Sequence, residues 1–282
     1  MRFDKSGFVL AMIASAIVAA PGVAAAQAHS VAVRATDYKF DAPASVAAGT
    51  VTFNFQNAGK EVHHLWLVQL RNGKTFNEFL KAMESAGSPK MPDWAVDVGG
   101  PNSVAGGASS AATVTLEPGT YAMVCYVPSP DGRPHVMKGM TKALTVTSTG
   151  ATAASEPQSD VTIKMTDYAF DLSKAITAGT HVVRIENAAT QSHEIVVGKL
   201  LAGKTMRQAL EWLNNGQKGP APVTLLGGAS GLGTGRHQFI SLNFEPGRYV
   251  FMCFIPDVTD GKPHSDHGMA KEITVAAPKA SK

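Results

Sequence analysis

The chain of 282 residues repeats itself with a period of about 130 residues. Residues 36–41, TDYKFD, return as residues 166–171, TDYAFD, and residues 117–119, EPG, return as residues 245–247. Further short segments return in the same order. Because a repeat of this length is about one domain long, the pattern predicts two tandem copies of one domain.

The domain boundaries are predicted from the repeat and from local composition. We place the first domain at residues 29–147 and the second at residues 160–277. Residues 148–159 between them are rich in Ser, Thr, Ala and Pro, which is typical of a linker. Residues 278–282 form a short tail.

Residues 1–28 have the pattern of a cleavable signal peptide. Two basic residues precede an apolar run at 8–20 that is too short to span a bilayer. Residues 26–28, AQA, match the small-x-small cleavage pattern, so we expect the mature chain to begin at His29, with a cut after Ala26 as the alternative. The sequence therefore predicts an exported protein, periplasmic or secreted, with no membrane span in the mature chain.

Both halves are dominated by strand patterns. Residues 31–35 and 161–165 alternate apolar and polar side chains, as half-buried strands do. The segments TFNE at 75–78 and TMRQ at 205–208 match the capping box that begins a helix. We therefore predict an all-β fold of two tandem Greek-key β-sandwich domains, each with one short inserted helix.

Two stretches rich in Gly, Ser and Pro, residues 88–111 and 216–236, are interpreted as long loops. The second stretch contains GLGTG at 231–235. This glycine pattern lacks the strand-to-helix context of a dinucleotide-binding site, and we interpret it as a flexible loop.

Charge and cysteine content narrow the function. The formal net charge is +3, and the Lys and Arg residues form no block, so no nucleic-acid partner is expected. The two cysteines, Cys125 and Cys253, lie in different predicted domains. One cysteine per domain is either an inert core thiol or a metal ligand.

Each half contains a set of residue types that suits copper. The second half supplies His193, Cys253, His264 and Met269, and the first half supplies His63, Cys125, His135 and Met140. In both halves the last two residues are spaced His-x4-Met. Two imidazoles, one thiolate and a weak thioether form the donor set of a mononuclear copper site. Zinc also accepts Cys and His, and Met137 and His267 are alternative ligands close to those named.

Both halves resemble cupredoxins, the blue copper proteins. The resemblance rests on a turn containing Asn57 or Asn187 before the first histidine, a Gly-x-Tyr-x3-Cys strand and the His-x4-Met tail. It covers nearly all of the mature chain. It implies a rigid β-sandwich with one type 1-like copper site per half, held by the two ligand sets given above.

Two features differ from the usual cupredoxin pattern. The gap between the cysteine and the second histidine is Cys-x9-His in one half and Cys-x10-His in the other, longer than in single-copper cupredoxins. The residue after the first histidine is His64 or Glu194, and no Asn stands there to support the thiolate.

The leading functional hypothesis is an exported copper-binding protein that transfers electrons with a redox protein partner or handles copper. The chain has nine histidines and no His-x-His pair of the kind that holds an additional copper centre. We therefore expect that the protein is not an enzyme and place a two-domain copper oxidoreductase behind the other hypotheses. A metal-free β-sandwich that binds a partner through its loops is the alternative.

Overall fold

A computed structural model describes residue 1 and residues 28–85, 91–152 and 154–277. The body of the predicted signal peptide and the tail at 278–282 lie outside these residues. The predicted all-β class is confirmed, since the described chain forms sixteen strands and two short α-helices. No helix in the described ranges is long and apolar enough to cross a membrane.

The strands follow the repeat closely. Those of the first half are β1 His29–Thr36, β2 Lys39–Asp41, β3 Ser45–Asn57, β4 Trp66–Leu70, β5 Ala95–Gly99, β6 Ser109–Leu116, β7 Gly119–Val124 and β8 Thr141–Thr152. Those of the second half are β9 Val161–Thr166, β10 Ala169–Leu172, β11 Gly179–Asn187, β12 His193–Leu200, β13 Val223–Leu232, β14 His237–Phe244, β15 Gly247–Met252 and β16 Ala270–Val275.

The helices are α1 Phe76–Ser85 and α2 Met206–Asn214. Both begin at the predicted capping boxes. The Thr75 hydroxyl accepts a hydrogen bond from the Glu78 N–H, and the Thr205 hydroxyl accepts one from the Gln208 N–H, each at 3.2 Å. The Glu78 and Gln208 side chains accept in return from the threonine N–H groups, which satisfies amides that a helix start leaves free.

Most strand pairings recur in the two halves, although the parallel pairing of β3 with β8 in the first half has no counterpart between β11 and β16 in the described part of the chain. β1 lies parallel to β3, and β9 lies parallel to β11. β7 lies between β4 and β8 in antiparallel pairing, and β15 lies between β12 and β16 in the same way. Each cysteine therefore follows a central strand whose neighbour, β4 or β12, begins close to the first histidine of the same half.

The stretches interpreted as long loops contain strands, so that interpretation is wrong. β5 lies within 88–111 and pairs with β4, while β13 lies within 216–236 and pairs with β12. β5 also pairs with β13, and β6 pairs with β14, so hydrogen bonds join the two halves into one sheet path. The many glycines obscured these strands, because glycine weakens the strand signal that alternation gives.

The glycines of β13 allow close packing against the other half. A Cβ atom on Gly231 would overlap the indole ring of Trp66, so only glycine fits there. The residues interpreted as a flexible GLGTG loop therefore begin inside a strand that is buried. Trp66 itself is buried and is the first residue of β4, three residues after His63.

Replacing Gly228 with alanine should destabilise the fold strongly. Its φ is +128°, and a Cβ atom there would overlap the Ile195 carbonyl oxygen. Strain at this φ costs roughly 1–3 kcal/mol and the overlap roughly 1–3 kcal/mol more. Gly179 is a matched control, since its φ is +123° and its Cβ would meet nothing within 4 Å. Urea unfolding should show a larger loss for Gly228→Ala than for Gly179→Ala, and equal losses would contradict this packing.

Candidate metal centres

The backbone holds the first histidine of each half in a strand pairing. His63 forms an antiparallel bridge with Val104, and His193, the first residue of β12, pairs with Leu232. In both cases the pairing partner comes from a stretch that the sequence had suggested was a loop. These segments therefore position the candidate ligands.

The long loop after Cys125 folds back on itself. Pro128 and Pro134 form a bridge, and the His135 N–H then donates to the Val127 carbonyl at 3.0 Å. The next N–H, that of Val136, donates to the Cys125 carbonyl at 2.7 Å. The nine residues between Cys125 and His135 thus form a closed loop, which brings His135 back next to Cys125.

The second half closes its loop in the same way. Pro256 and Pro263 form the bridge, the His264 N–H donates to the Ile255 carbonyl at 3.0 Å, and the next N–H donates to the Cys253 carbonyl at 2.9 Å. The one additional residue of this loop lies between the two bridged prolines. The unusual length of both loops therefore does not separate the ligands.

A short 3₁₀ helix follows each loop and leads to the methionine. It spans His135–Lys138 in the first half and His264–His267 in the second. The following glycine has φ near +90° in both halves, a conformation that glycine adopts without strain, and it turns the chain back. The turn returns the methionine to the strand that ends at the cysteine.

Three ligand atoms converge in the first half. His63 Nδ1 lies 2.9 Å from His135 Nδ1, and the Cys125 Sγ lies 3.9 Å and 3.5 Å from these two nitrogens. All three side chains are fully buried. The three ligand atoms lie within 4.8 Å of one another, so the cluster is a compact N₂S set.

The second half repeats this cluster. The Cys253 Sγ lies 3.9 Å from His193 Nδ1 and 3.4 Å from His264 Nδ1, and all three side chains are again fully buried. In both clusters the ligand atoms lie within 4.8 Å of one another. A bound ion lies about 2.0–2.3 Å from N and S donors, so one ion can reach all three atoms. Both clusters are able to bind copper, as the donor set predicted.

The outer nitrogen of three of the four cluster histidines is held by a carboxylate. His63 Nε2 lies 3.0 Å from Asp37 Oδ1, and His193 Nε2 lies 3.1 Å from Asp167 Oδ1. His135 Nε2 lies 2.8 Å from Glu61 Oε2. A carboxylate at Nε2 fixes the proton there and leaves Nδ1 free to bind a metal, which is how outer partners orient ligands.

The buried thiols and imidazoles are in the forms that burial favours. Burial raises the pKa of Cys125 to about 12 and raises that of Cys253 further still. Burial also lowers the pKa of His63 and of His135, which favours the neutral ring that can donate a lone pair. The thiol proton must leave when a metal binds, as for any thiolate ligand.

The backbones of both predicted methionines lie next to the cysteines. Met140 and Met269 are fully buried, and their carbonyls accept hydrogen bonds from the Cys125 and Cys253 N–H groups at 3.3 Å and 3.2 Å. The alternative Met137 is 40% exposed. The other alternative, His267, is bonded through Nε2 to Asp260 at 3.2 Å on the surface. The structure thus places Met140 and Met269 in the interior with their backbones bonded to the cysteines, whereas Met137 and His267 lie at the surface.

His64 and Glu194 have a role that sequence reasoning missed. The His64 Nε2 accepts from the Tyr126 N–H at 2.8 Å, and the Glu194 Oε1 accepts from the Phe254 N–H at 3.0 Å. Each side chain thus ties the strand of the first histidine to the residue after the cysteine. Burial lowers the pKa of His64 to about 3 and raises that of Glu194 to about 7.

Four carboxylates next to the clusters were also missed as site residues. They are Asp37, Glu61, Asp167 and Asp257. The Asp-Tyr pair that recurs at 37–38 and 167–168 was the available signal for two of them, although the exposed Asp41 and Asp171 recur in the same segment. Glu61 and Asp257 gave no such signal, since they occupy different places in the repeat.

A cavity of about 950 Å³ lies between the halves. His64 and Tyr126 line it from the first half, and Glu194 and Phe254 line it from the second. These four residues each directly follow a candidate ligand in the sequence. Asp97 also lines the cavity and accepts hydrogen bonds from the Trp66 indole N–H at 3.0 Å and the Ser192 hydroxyl at 2.6 Å.

Replacing Asp97 with asparagine should reduce the loss of folding stability that accompanies a rise in pH. Burial raises the pKa of Asp97 above its unfolded value of 3.8. The folded state therefore holds this proton more tightly, and stability falls as pH rises from 3.8 toward the folded pKa, by about 1.4 kcal/mol per pH unit. Urea unfolding of metal-free protein from pH 4 to 8 should show that the free energy of unfolding of Asp97→Asn increases relative to that of the wild type as pH rises. The exposed Asp171→Asn is the control, and parallel curves for Asp97→Asn would contradict the assignment.

Comparisons with known proteins identify similar structures but no family by sequence. No protein-family model matches the chain, and no curated protein matches it. Auracyanin A of Chloroflexus aurantiacus, a "blue" copper protein, is 22% identical over 43% of this chain and 100% of its own, with a TM-score of 0.30. A multicopper oxidase is 14% identical over 88% of each chain, with a TM-score of 0.25. A copper-containing nitrite reductase of Thermus scotoductus is 12% identical over 89% of this chain and 63% of its own, with a TM-score of 0.24.

The predicted resemblance to cupredoxins is confirmed at the level of the all-β fold and the two His–Cys–His clusters. The expectation that the protein is not an enzyme is wrong as an inference, because the similar structures include an oxidase and a reductase. The absence of a His-x-His pair tests only one arrangement of an additional copper centre. It gave no ground for excluding enzymes as a class.

Proposed function

We propose that this chain is an exported copper protein with one type 1-like site in each of two tandem domains, and that it transfers electrons to or from a redox protein partner. The proposed ligands are His63, Cys125, His135 and Met140 in the first domain and His193, Cys253, His264 and Met269 in the second. The observation that carries the proposal is the repeated, fully buried N₂S cluster.

The protein's own residues would keep each site rigid and dry. Three of the four histidines are held from outside by Asp37, Glu61 and Asp167, and the cysteine strands are tied across by His64 and Glu194. Copper, when bound, supplies one-electron chemistry between its two oxidation states. A ligand set that is already in place needs little rearrangement when the charge changes, which favours fast electron transfer.

Electron transfer is tested by redox cycling of copper-loaded protein. Ascorbate should bleach the visible band, and ferricyanide should restore it with about one electron per copper over repeated cycles. The Cys125→Ser/Cys253→Ser double variant, treated in the same way, is the control. Copper that binds tightly but stays in one oxidation state through these treatments would favour copper handling and would contradict electron transfer.

A second candidate function is an oxidoreductase that acts on a small molecule bound in the cavity between the halves. The cavity favours it because its walls include residues that directly follow candidate ligands of both sites. Reduced, copper-loaded protein should then be reoxidised by oxygen or nitrite in a saturable reaction. Thr234→Trp, which narrows the cavity from an exposed wall position, should slow that reaction and leave the ferricyanide rate unchanged. An equal rate in the variant would contradict this second function.

Export is proposed from the N-terminal pattern alone. Expression of the full chain in a bacterial host should deliver a mature protein to the periplasm or the medium. N-terminal sequencing should find His29, or Gln27 if the cut follows Ala26. An uncleaved chain that stays in the cytoplasm would contradict export.

A further inference from the structure

The two halves place a carboxylate differently next to their second histidine. In the repeat, Glu61 corresponds to Gln191 and Ser129 corresponds to Asp257. The first half thus carries its carboxylate just before the first histidine. The second half carries it in the loop after the cysteine instead.

In the first half, this carboxylate reaches the histidine. Glu61 Oε2 lies 2.8 Å from His135 Nε2, while the other oxygen, Oε1, accepts from the Tyr38 hydroxyl at 2.8 Å. One oxygen of the carboxylate therefore faces the imidazole while the other is bonded to Tyr38. The Tyr38 bond holds the carboxylate in the orientation that the imidazole needs.

In the second half, the carboxylate does not reach the histidine. Asp257 Oδ2 lies 3.8 Å from His264 Nε2, beyond hydrogen-bond distance. That oxygen accepts instead from the Tyr168 hydroxyl at 2.6 Å and the Gln191 amide at 2.9 Å, and Oδ1 accepts from the Thr259 N–H at 2.8 Å. His264 Nε2 is buried and has no hydrogen-bond partner within the described part of the chain.

We propose that Glu61 is a positioning residue that makes the two copper sites unequal: the first-half site binds copper more tightly and has the lower reduction potential. A hydrogen bond from the outer N–H of a ligand imidazole to a carboxylate fixes the ring and strengthens its donor nitrogen, and losing such a partner weakens metal binding by about 10–100-fold. A stronger donor stabilises the more highly charged oxidised ion. This inference rests on the proposed copper function.

The consequence is a defined order in which the two sites bind copper and accept an electron. Copper supplied below one equivalent should occupy the first half. In protein with both sites filled, an electron should rest preferentially on the copper of the second half. The other histidine of each site does not create this order, because Asp37 and Asp167 hold His63 and His193 alike, at 3.0 Å and 3.1 Å.

The test uses full-length mature protein with one site removed at a time. Cys253→Ser leaves the first site, and Cys125→Ser leaves the second. Copper(I) competition with bicinchoninate and redox titration by visible absorption give the affinity and the potential of each. The first site should bind about 10–100-fold more tightly and should titrate at the lower potential.

Two further variants assign the difference to the carboxylate. Glu61→Ala in the Cys253→Ser background should weaken the first site by about 10–100-fold and raise its potential, and Glu61→Asp should restore part of both. Gln191→Glu with Asp257→Ser, in the Cys125→Ser background, gives the second site the arrangement of the first and should shift both quantities the other way. The exposed Glu211→Gln on α2 is the control and should change neither.

The possible outcomes distinguish failure of the inferred difference between the sites from failure of the proposed copper function. Equal affinities and potentials in the two single-site proteins, unchanged by the Glu61 and Gln191 variants, would overturn this inference and leave the copper function standing. Failure of both single-site proteins to bind copper, with metal-free urea midpoints close to that of the wild type, would overturn both.

Discussion

Replacing Cys125 with serine should remove one bound copper and leave the other in place. The thiolate is the strong, soft donor of the N₂S set, and a serine hydroxyl stays protonated and binds copper weakly. Each cluster draws all its ligands from one half, at sulfur-to-nitrogen distances of 3.4–3.9 Å, so the loss should stay local. Metal analysis should give about one copper per chain instead of about two, with roughly half the visible absorption. Cys253→Ser should do the same for the second half.

The control for these variants is the stability of the metal-free protein. Serine places a hydroxyl in a buried site, which costs roughly 1–3 kcal/mol where it finds no partner. Cys125→Ala avoids that hydroxyl and should show the same loss of copper. Retention of two coppers in a folded Cys125→Ser or Cys125→Ala protein would mean that the thiol is a core residue and not a ligand.

Replacing Asp37 with asparagine should weaken copper binding in the first half by about 10–100-fold. The carboxylate oxygen next to His63 Nε2 also accepts from the Lys60 N–H at 2.9 Å, so it is held in place for the imidazole. Asparagine offers a neutral and weaker acceptor. Asp167→Asn should have an equal effect on the second half, because its carboxylate stands 3.1 Å from His193 Nε2. Copper(I) competition in the single-site proteins measures both effects.

Asp41→Asn is the matched control for this prediction. It lies in the same repeated segment as Asp37, is exposed on β2 and should leave copper affinity unchanged. An unchanged affinity in Asp37→Asn, with the metal-free protein folded, would mean that the carboxylate does not support the histidine. Weakening by all three variants alike would point to a general effect of charge.

The sequence was sufficient for what depends on local pattern. The capping boxes at Thr75 and Thr205 begin both helices, because cap chemistry involves only residues three apart. The His-x4-Met spacing was part of the predicted ligand pattern in both halves, and a 3₁₀ helix followed by a left-handed glycine spans that spacing in both. Strand alternation predicted the all-β class for the same reason.

Contacts between residues distant in sequence could not be predicted from the local sequence pattern. Glu61 meets His135 and Asp37 meets His63 only after the strands and loops are folded. The role of His64 depends on the backbone N–H of Tyr126, and sequence does not show where an N–H points. The strands β5 and β13 were missed because their glycines, such as Gly231 against Trp66, serve close packing and not a turn.

The most direct test of the account is copper reconstitution of the chain from His29 onward, with the visible spectrum and the metal content recorded together. We expect an intense thiolate-to-copper band that grows with added copper and saturates at about two coppers per chain. Saturation at about one copper, with loss of the band in only one of the two cysteine variants, would restrict the account to one half. A folded protein that shows no band and keeps no copper after dialysis would contradict the central claim that the two His–Cys–His clusters are copper sites.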